Sequence, residues 1–223
     1  MSALRILVAD DHEVVRRGLC ALLESQPGWQ VCGEASDGRD VLKKVGETRP
    51  DIVVLDVAMP NLNGLEATRQ ILKTNPRVKV LILTLHDSDR LIHEVLMAGA
   101  CGFVLKSDAA RDLVSAVEAL RQNKTYFTSK VASMVLNGFL KNGPGAVVSD
   151  PASPLTARER EIVQLLSEGK TAKEVAVALG ISVKTAETHR SNIMRKLELH
   201  SVSELVLYAV RNNIVNVPTA YPS

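Results

Sequence analysis

Two short apolar runs each end abruptly in acid, and this sharply limits how the chain can fold. Leu4-Arg5-Ile6-Leu7-Val8-Ala9 runs into Asp10-Asp11, and Ile52-Val53-Val54-Leu55 runs into Asp56. Short runs rich in β-branched residues that stop at a polar break read as buried parallel strands. If the two strands lie side by side, their carboxyl ends bring Asp10, Asp11 and Asp56 into one small pocket. Three carboxylates repel one another and lose solvation there, so the pocket needs a counter-charge. A divalent cation that prefers oxygen, Mg²⁺ above all, meets that need. Lys106, which follows the apolar Phe103-Val104-Leu105, brings a further positive charge. Such a pocket is suited to receiving a phosphoryl group.

The first half of the chain alternates strand and helix patterns. Strands are expected at 4–9, 30–34, 52–55, 78–84 and 102–105, and helices at 14–25, 38–47, 64–74, 88–98 and 109–122. Five strands alternating with helices predict an α/β domain with a parallel five-stranded sheet, flavodoxin-like in its (βα)5 order. Ligands of such sheets bind outside the carboxyl ends of the strands. Asp10, Asp11, Asp56, Thr84 and Lys106 all fall at expected carboxyl ends. Taken singly, an Asp pair can cap a helix, a strand-end lysine can be merely solvated, and a threonine can simply pack. Taken together, these polar residues from four strands point to one site.

Composition narrows the rest. Apolar residues make up 46% of the 223 and aromatic ones only 3%, which predicts aliphatic, well-packed cores and little disorder. No apolar stretch has the length of a membrane span and the amino terminus lacks a signal-peptide pattern, so a cytoplasmic protein without membrane association is expected. Cys20, Cys32 and Cys101 have no metal-ligand spacing and read as reduced, mostly buried thiols. A net charge of +2 does not by itself predict a nucleic-acid partner.

Beyond Phe127 the pattern changes. A short helix is expected at 129–140, and Asn142-Gly143-Pro144-Gly145 with the Pro- and Ser-containing stretch up to Pro154 reads as a linker. From Leu155 onward the chain is expected to be all-helical. Capping boxes are expected at Thr156/Glu159, Thr171/Glu174 and Ser201/Glu204. Gly169 and Gly180 suit helix ends that require a left-handed residue. Only Ile181 separates Gly180 from Ser182, the expected cap of the next helix, which is the sequence form of a helix-turn-helix. The resulting division is 1–127, a linker region 128–154, a helical domain 155–217 and a tail 218–223.

With these residues assembled, the first half resembles a receiver domain of two-component signalling. The resemblance rests on Asp10-Asp11, on Asp56 within Asp56-Val57-Ala58-Met59-Pro60-Asn61-Leu62-Asn63-Gly64, on Thr84, and on Phe103 three before Lys106. With its carboxy-terminal helices, the chain resembles the NarL/FixJ-type response regulators, a receiver followed by a LuxR-type helix-turn-helix domain. The resemblance implies that Asp56 is the phosphoacceptor, that Asp11 and Asp56 bind Mg²⁺ directly, and that Asp10 holds a metal-bound water. The backbone carbonyl of Ala58 completes the implied protein ligands. Lys106 is expected to stabilise the equatorial phosphoryl oxygens and Thr84 to donate to one of them. Phe103 is the implied switch aromatic, simple core packing being the alternative; Ala58 and His86, two residues beyond Asp56 and Thr84, are in the positions that flank the implied hydrolytic water, while His86 by itself reads as a solvated loop residue. The expected partners are a sensor histidine kinase, an inverted-repeat DNA operator, a second copy of the chain in the active state, and RNA polymerase. The protein is expected not to be an enzyme, although its receiver promotes its own phosphorylation and dephosphorylation at Asp56.

The helix expected to read DNA is 183–197. Ala186, Ile193, Met194 and Leu197 form its apolar stripe. Lys184, Thr185, Glu187, Thr188, Ser191 and Asn192 lie opposite, a polar and mostly short-chained set that fits the major groove. Lys184, Arg190 and Lys196 are placed to neutralise phosphates, and Glu187, Thr188 and Ser191 to read bases. Glu187 is equally placed to pair with Arg190 or Ser191. The apolar Val202, Leu205, Val206 and Ala209 of the last helix serve either a dimer contact or the small core. Two other classes compete with this reading: a Mg²⁺-dependent phosphohydrolase with an aspartyl intermediate, and a DNA-binding protein whose pocket holds a structural ion. The lack of a separate general acid beside Asp56 weighs against the hydrolase.

Overall fold

The computed structural model describes residues 3–85, 88–127, 131 and 154–215. The expected helix at 129–140, the linker, the 218–223 tail and His86 lie outside them, apart from single positions. The chain divides into two compact units, one built on a sheet and one from the carboxy-terminal helices.

The sheet unit follows the order β1 (Leu4–Ala9), α1 (Glu13–Glu24), β2 (Trp29–Ala35), α2 (Gly38–Thr48), β3 (Ile52–Asp56), α3 (Gly64–Thr74), β4 (Lys79–Thr84), α4 (Asp89–Met97), β5 (Gly102–Leu105) and α5 (Ala109–Arg121). The strands lie in the order β2-β1-β3-β4-β5, and every pairing is parallel. Each expected strand and helix of this unit is present, with ends displaced by a residue or two. One feature escaped the hydropathy pattern: the β1–β2 register slips between Ile6/Val31 and Leu7/Gly33, which leaves Cys32 as the extra residue of a bulge.

Strand alternation sends side chains to both faces of the sheet. Ile6, Val8, Ile52, Val54, Leu81, Leu83 and Val104 pack on one face against Leu19, Cys20 and Leu23 of α1 and Leu113, Ala116, Val117 and Leu120 of α5. The intervening Leu7, Val53, Leu55, Val80, Ile82 and Phe103 are buried as well. Burial on both faces explains why these strands read as continuous apolar runs.

Register decides where the polar ends meet. Ala9 pairs with Leu55, so Asp10 and Asp56 are the next residues on adjacent strands. Asp56 pairs with Leu83 and Thr84 with Leu105, which brings Thr84 and Lys106 to the same edge. After β5 the chain makes a single 3₁₀ turn over Lys106–Asp108 before α5.

The second unit comprises α6 (Ala157–Ser167), α7 (Ala172–Leu179), α8 (Val183–Lys196) and α9 (Val202–Arg211). Both threonine capping boxes form completely, Thr156 with Glu159 and Thr171 with Glu174. Each satisfies two otherwise orphaned amides and is worth about 1 kcal/mol as a cap. The third box is only half formed. Ser201 accepts from the Glu204 amide, but Glu204 accepts in return from His200 N at 2.6 Å rather than from Ser201. With Ser201 extended at φ −143° and ψ 157°, the preceding amide meets the carboxylate. Gly180 ends α7 in the left-handed region at φ 63°, and Ser182 caps α8 by accepting from Thr185 N. Ile162, Val163, Leu165, Val175, Ala186, Ile193, Leu205 and Ala209 form the centre of this unit's core.

Candidate functional site

At the carboxyl edge of the sheet, Asp10 is fully buried and Asp56 and Thr84 nearly so. Lys106 reaches both acids, its Nζ lying 2.7 Å from Asp10 Oδ2 and 2.8 Å from Asp56 Oδ2. Asp11 is more open, with about a third of its side chain accessible at 32%. One ammonium therefore bridges two buried carboxylates, with the more open Asp11 next to Asp10. Burial pushes the Asp56 carboxyl above its usual range, and Lys106 only partly opposes this. Burial works to lower Lys106, but Asp56 and Asp10 more than offset it and hold the lysine above its ordinary value. The donor set is all hard oxygen apart from one neighbouring imidazole, and its residual negative charge fits a divalent cation.

Local backbone geometry holds Asp56 in place. Gly64 N donates to Val57 O at 3.0 Å, closing the segment after β3 back on itself. A Cβ on Gly64 would lie 2.0 Å from Asp56 O and 3.0 Å from Val57 Cα, so only glycine allows this approach. The Ala58 amide donates to the Asp56 carboxylate, and Ala58 itself is half-buried. Phe103, on β5, is 1% exposed and its ring is part of the core.

Two residues of this neighbourhood went unread in the sequence. Arg16, one turn into α1, donates from Nη1 to Asp10 O at 2.8 Å and from Nε to Glu34 Oε2 at 3.1 Å. It ties the β1–α1 loop to β2 and thereby fixes Asp10. His12 donates its amide to Asp10 Oδ1 at 2.9 Å, and its Nδ1 lies 2.8 Å from Asp11 Oδ1. The i, i+4 spacing of His12 and Arg16, directly after the Asp pair, is the signal that could have found them.

In the helical unit, α8 presents the expected faces. Ala186 and Ile193 are buried and Met194 and Leu197 half-buried, while Lys184, Thr185, Glu187, Thr188, Arg190, Ser191, Asn192 and Lys196 are exposed. Some of the polar groups already have partners. Thr188 Oγ1 donates to Lys184 O at 2.8 Å, and Asn192 Oδ1 accepts from Arg195 at 3.2 Å. Lys196 Nζ donates to Glu159 Oε2 at 2.8 Å, so this cation is engaged in holding α6. On α9, Leu205 and Ala209 complete the small core, Val206 is half-buried and Val202 is 44% exposed.

Buried carboxylates bridged by a lysine at the carboxyl edge of a parallel sheet, followed by capped helices in a helix-turn-helix arrangement, are the arrangement of a two-domain DNA-binding regulator. The chain belongs to the response regulators: residues 6–118 match the response regulator receiver domain, and residues 153–209 match the bacterial regulatory proteins of the luxR family. It is 39% identical over 213 residues to the transcriptional regulatory protein LiaR of Bacillus subtilis, covering 96% of this chain and 100% of LiaR. It is 38% identical over 216 residues to the oxygen regulatory protein NreC of Staphylococcus carnosus, again covering 96% of this chain and 100% of the relative. Among solved structures it resembles that of the response regulator RcsB bound to DNA, with a TM-score of 0.58 at 25% identity, covering 95% of this chain and 99% of the other. Among the described residues, no helix is long and apolar enough to cross a membrane.

Proposed function

We propose that phosphorylation of Asp56 by a sensor histidine kinase switches sequence-specific DNA binding by residues 155–217. Residues 1–127 act as the phosphoacceptor domain and 128–154 as the connection. The observation that carries this reading is the buried Asp56 with its Oδ2 2.8 Å from Lys106, beside Asp10, at the carboxyl edge of a parallel sheet.

The chemistry is a phosphoryl transfer. An Asp56 carboxylate oxygen attacks phosphorus in the kinase phosphohistidine, the P–N bond breaks, and the imidazole leaves with the bonding pair. Lys106 is placed to take part of the charge on the equatorial oxygens, and the Thr84 hydroxyl to donate to one of them. Asp11, Asp56 and the Ala58 carbonyl would hold Mg²⁺, with Asp10 on a coordinated water; when bound, the ion neutralises charge on the transferring group. Phe103 acts as the switch aromatic.

Lys184 and Arg190 are placed to neutralise phosphates, joined by Lys196 when it exchanges Glu159 for DNA. Glu187, Thr188 and Ser191 are the set presented to base edges, with Thr185 and Asn192 on the same polar face. A homodimer on an inverted-repeat operator supplies specificity that one small reader lacks. The solved RcsB–DNA complex, with its similar fold, supports the DNA partner. RNA polymerase is the further partner that regulation of transcription calls for, and the cytoplasm is the place of action.

Molar mass by light scattering, with Mg²⁺, before and after a small-molecule phosphodonor tests the switch. A monomer-to-dimer shift that Asp56→Asn prevents supports switching through assembly. No shift despite phosphorylation confirmed by intact mass supports release of α8 or a dimer already present at rest. An Asp56→Asn protein that still becomes phosphorylated overturns the assignment.

A further inference from the structure

We infer that α8 selects thymine by its 5-methyl group, through the side chain of Val183 and the γ-methyl of Thr188. The inference rests on the reading of α8 as the helix that meets DNA, and it names the base that this helix prefers.

The first observation is an apolar side chain in a polar surface. Val183 opens α8 and is 38% exposed, and among the described residues it is the only large apolar side chain of this helix left exposed. Lys184 beside it, and Glu187 and Arg190 one and two turns on, are charged and exposed. A lone valine needs no explanation on most surfaces. At the amino-terminal end of a recognition helix, however, side chains reach base edges.

The second observation concerns the hydroxyls. Thr188 Oγ1 donates to Lys184 O, the carbonyl one turn back, at 2.8 Å. Its proton is spent within the helix, which leaves the methyl as the group free to approach a base. Thr185 Oγ1 is engaged as well, 2.7 Å from the hydroxyl of Ser182 that caps the helix. Ser191 differs, because among the described residues its exposed hydroxyl has no hydrogen-bond partner. A base acceptor is therefore met by Ser191, whereas Thr188 offers a methyl.

The groove supplies the matching chemistry. The 5-methyl of thymine is the apolar group displayed in the major groove, and aliphatic side chains read it by contact. Cytosine in the same place presents an N4 donor that valine cannot accept, so its desolvation goes unrepaid. Lys184 and Arg190 lie on the same helix and are placed to meet phosphates, which fixes how the methyl groups enter the groove.

The test uses a duplex enriched from a random pool by the phosphodonor-treated full chain. Uracil replaces thymine at one position at a time, which removes the methyl and keeps every hydrogen-bonding group. Affinity is measured at one salt concentration for wild type, Val183→Ala, Thr188→Ser and Thr188→Val. Wild type should weaken by about fourfold at two or more positions, the size of one methyl group withdrawn from water. Val183→Ala should bind thymine and uracil alike at one of these positions and Thr188→Ser at another, each keeping the wild-type response elsewhere. Thr188→Val, which gives up only the hydroxyl, should keep the full response. A Thr188→Val protein that loses the response while Thr188→Ser keeps it overturns the role of the Thr188 methyl. A Val183→Ala protein with the wild-type response at every position overturns the role of Val183. If wild type enriches no duplex, the reading of α8 as a DNA-binding helix fails. If it enriches one and tolerates uracil at every position, only the inference about thymine fails.

Discussion

The pocket around Asp56 and the surface of α8 hold their charges in opposite ways. In the pocket, Asp10, Asp56 and Lys106 stand at the ends of three strands, are almost wholly withdrawn from water, and compensate one another over less than 3 Å. On α8, Lys184, Glu187 and Arg190 come from two turns of one helix and stand in solvent. Buried charges are strongly coupled, so removing one partner leaves another uncompensated. Exposed charges act nearly independently and are screened by salt. The pocket is therefore suited to an all-or-none chemical event, whereas the exposed side chains of the helix can be exchanged one by one without endangering its fold.

The contrast can be broken most forcefully at Gly64. Gly64→Ala places a Cβ against the Asp56 backbone, so the sheet unit should lose on the order of 4 kcal/mol or fail to fold. Chemical denaturation followed by Trp29 fluorescence reads this, and a loss below about 1 kcal/mol would show that the segment after β3 relaxes freely. Arg16→Ala should have a smaller effect on stability but a visible one on chemistry. With the Asp10 carbonyl and Glu34 released, phosphorylation by a small donor should slow by about tenfold, and Arg16→Lys should recover part of the rate. An unchanged rate would confine Arg16 to packing.

On α8 the expected effects are smaller and additive. Lys184→Ala should weaken binding to all DNA sequences and flatten the log–log salt dependence by about 0.9, the share of one phosphate contact. A change in base preference at constant slope would place Lys184 at a base edge instead. The smallest effect is expected at the start of α6. Burial tends to raise the Glu159 carboxyl, but the Lys196 ammonium and the Thr156 amide and hydroxyl outweigh it and hold it below its usual range. A carboxyl depressed by folding stabilises the native state above its unfolded value near 4.3 and ceases to do so as pH falls through the folded one. Hydrogen exchange in α6 should therefore quicken as pH drops below about 4, beyond the intrinsic trend, and Glu159→Gln should remove that dependence. An identical pH response in the variant would discount the Lys196 and Thr156 contacts.

The same contrast governs what could be read from the residues alone. Features that depend on neighbours in the chain were legible: both threonine capping boxes, Gly180 and Ser182 around the helix-turn-helix, and the apolar stripe through Ala186 and Ile193. Parallel pairing extended that legibility to Asp10, Asp56, Thr84 and Lys106, because strand ends in register must meet at one edge. What escaped depends on distant or unusual geometry. Arg16 finds Glu34 across a strand, His12 declines the capping role its position offers, and Cys32 bulges where hydropathy is featureless. At Ser201 the spacing was right, yet the Glu204 carboxylate took the amide of His200, a choice made by backbone angles that spacing does not encode.

The central claim is that a phosphoryl group on Asp56 changes how α8 meets DNA. The most direct test takes a duplex enriched from a random pool by the phosphodonor-treated full chain. Its affinity is then measured for treated and untreated protein, wild type and Asp56→Asn, at one salt concentration. Treated wild type should bind at least about tenfold more tightly than untreated, within the usual range of coupling between sites, and Asp56→Asn should not respond. Equal affinities for untreated protein and for protein shown by intact mass to be fully phosphorylated would contradict the account.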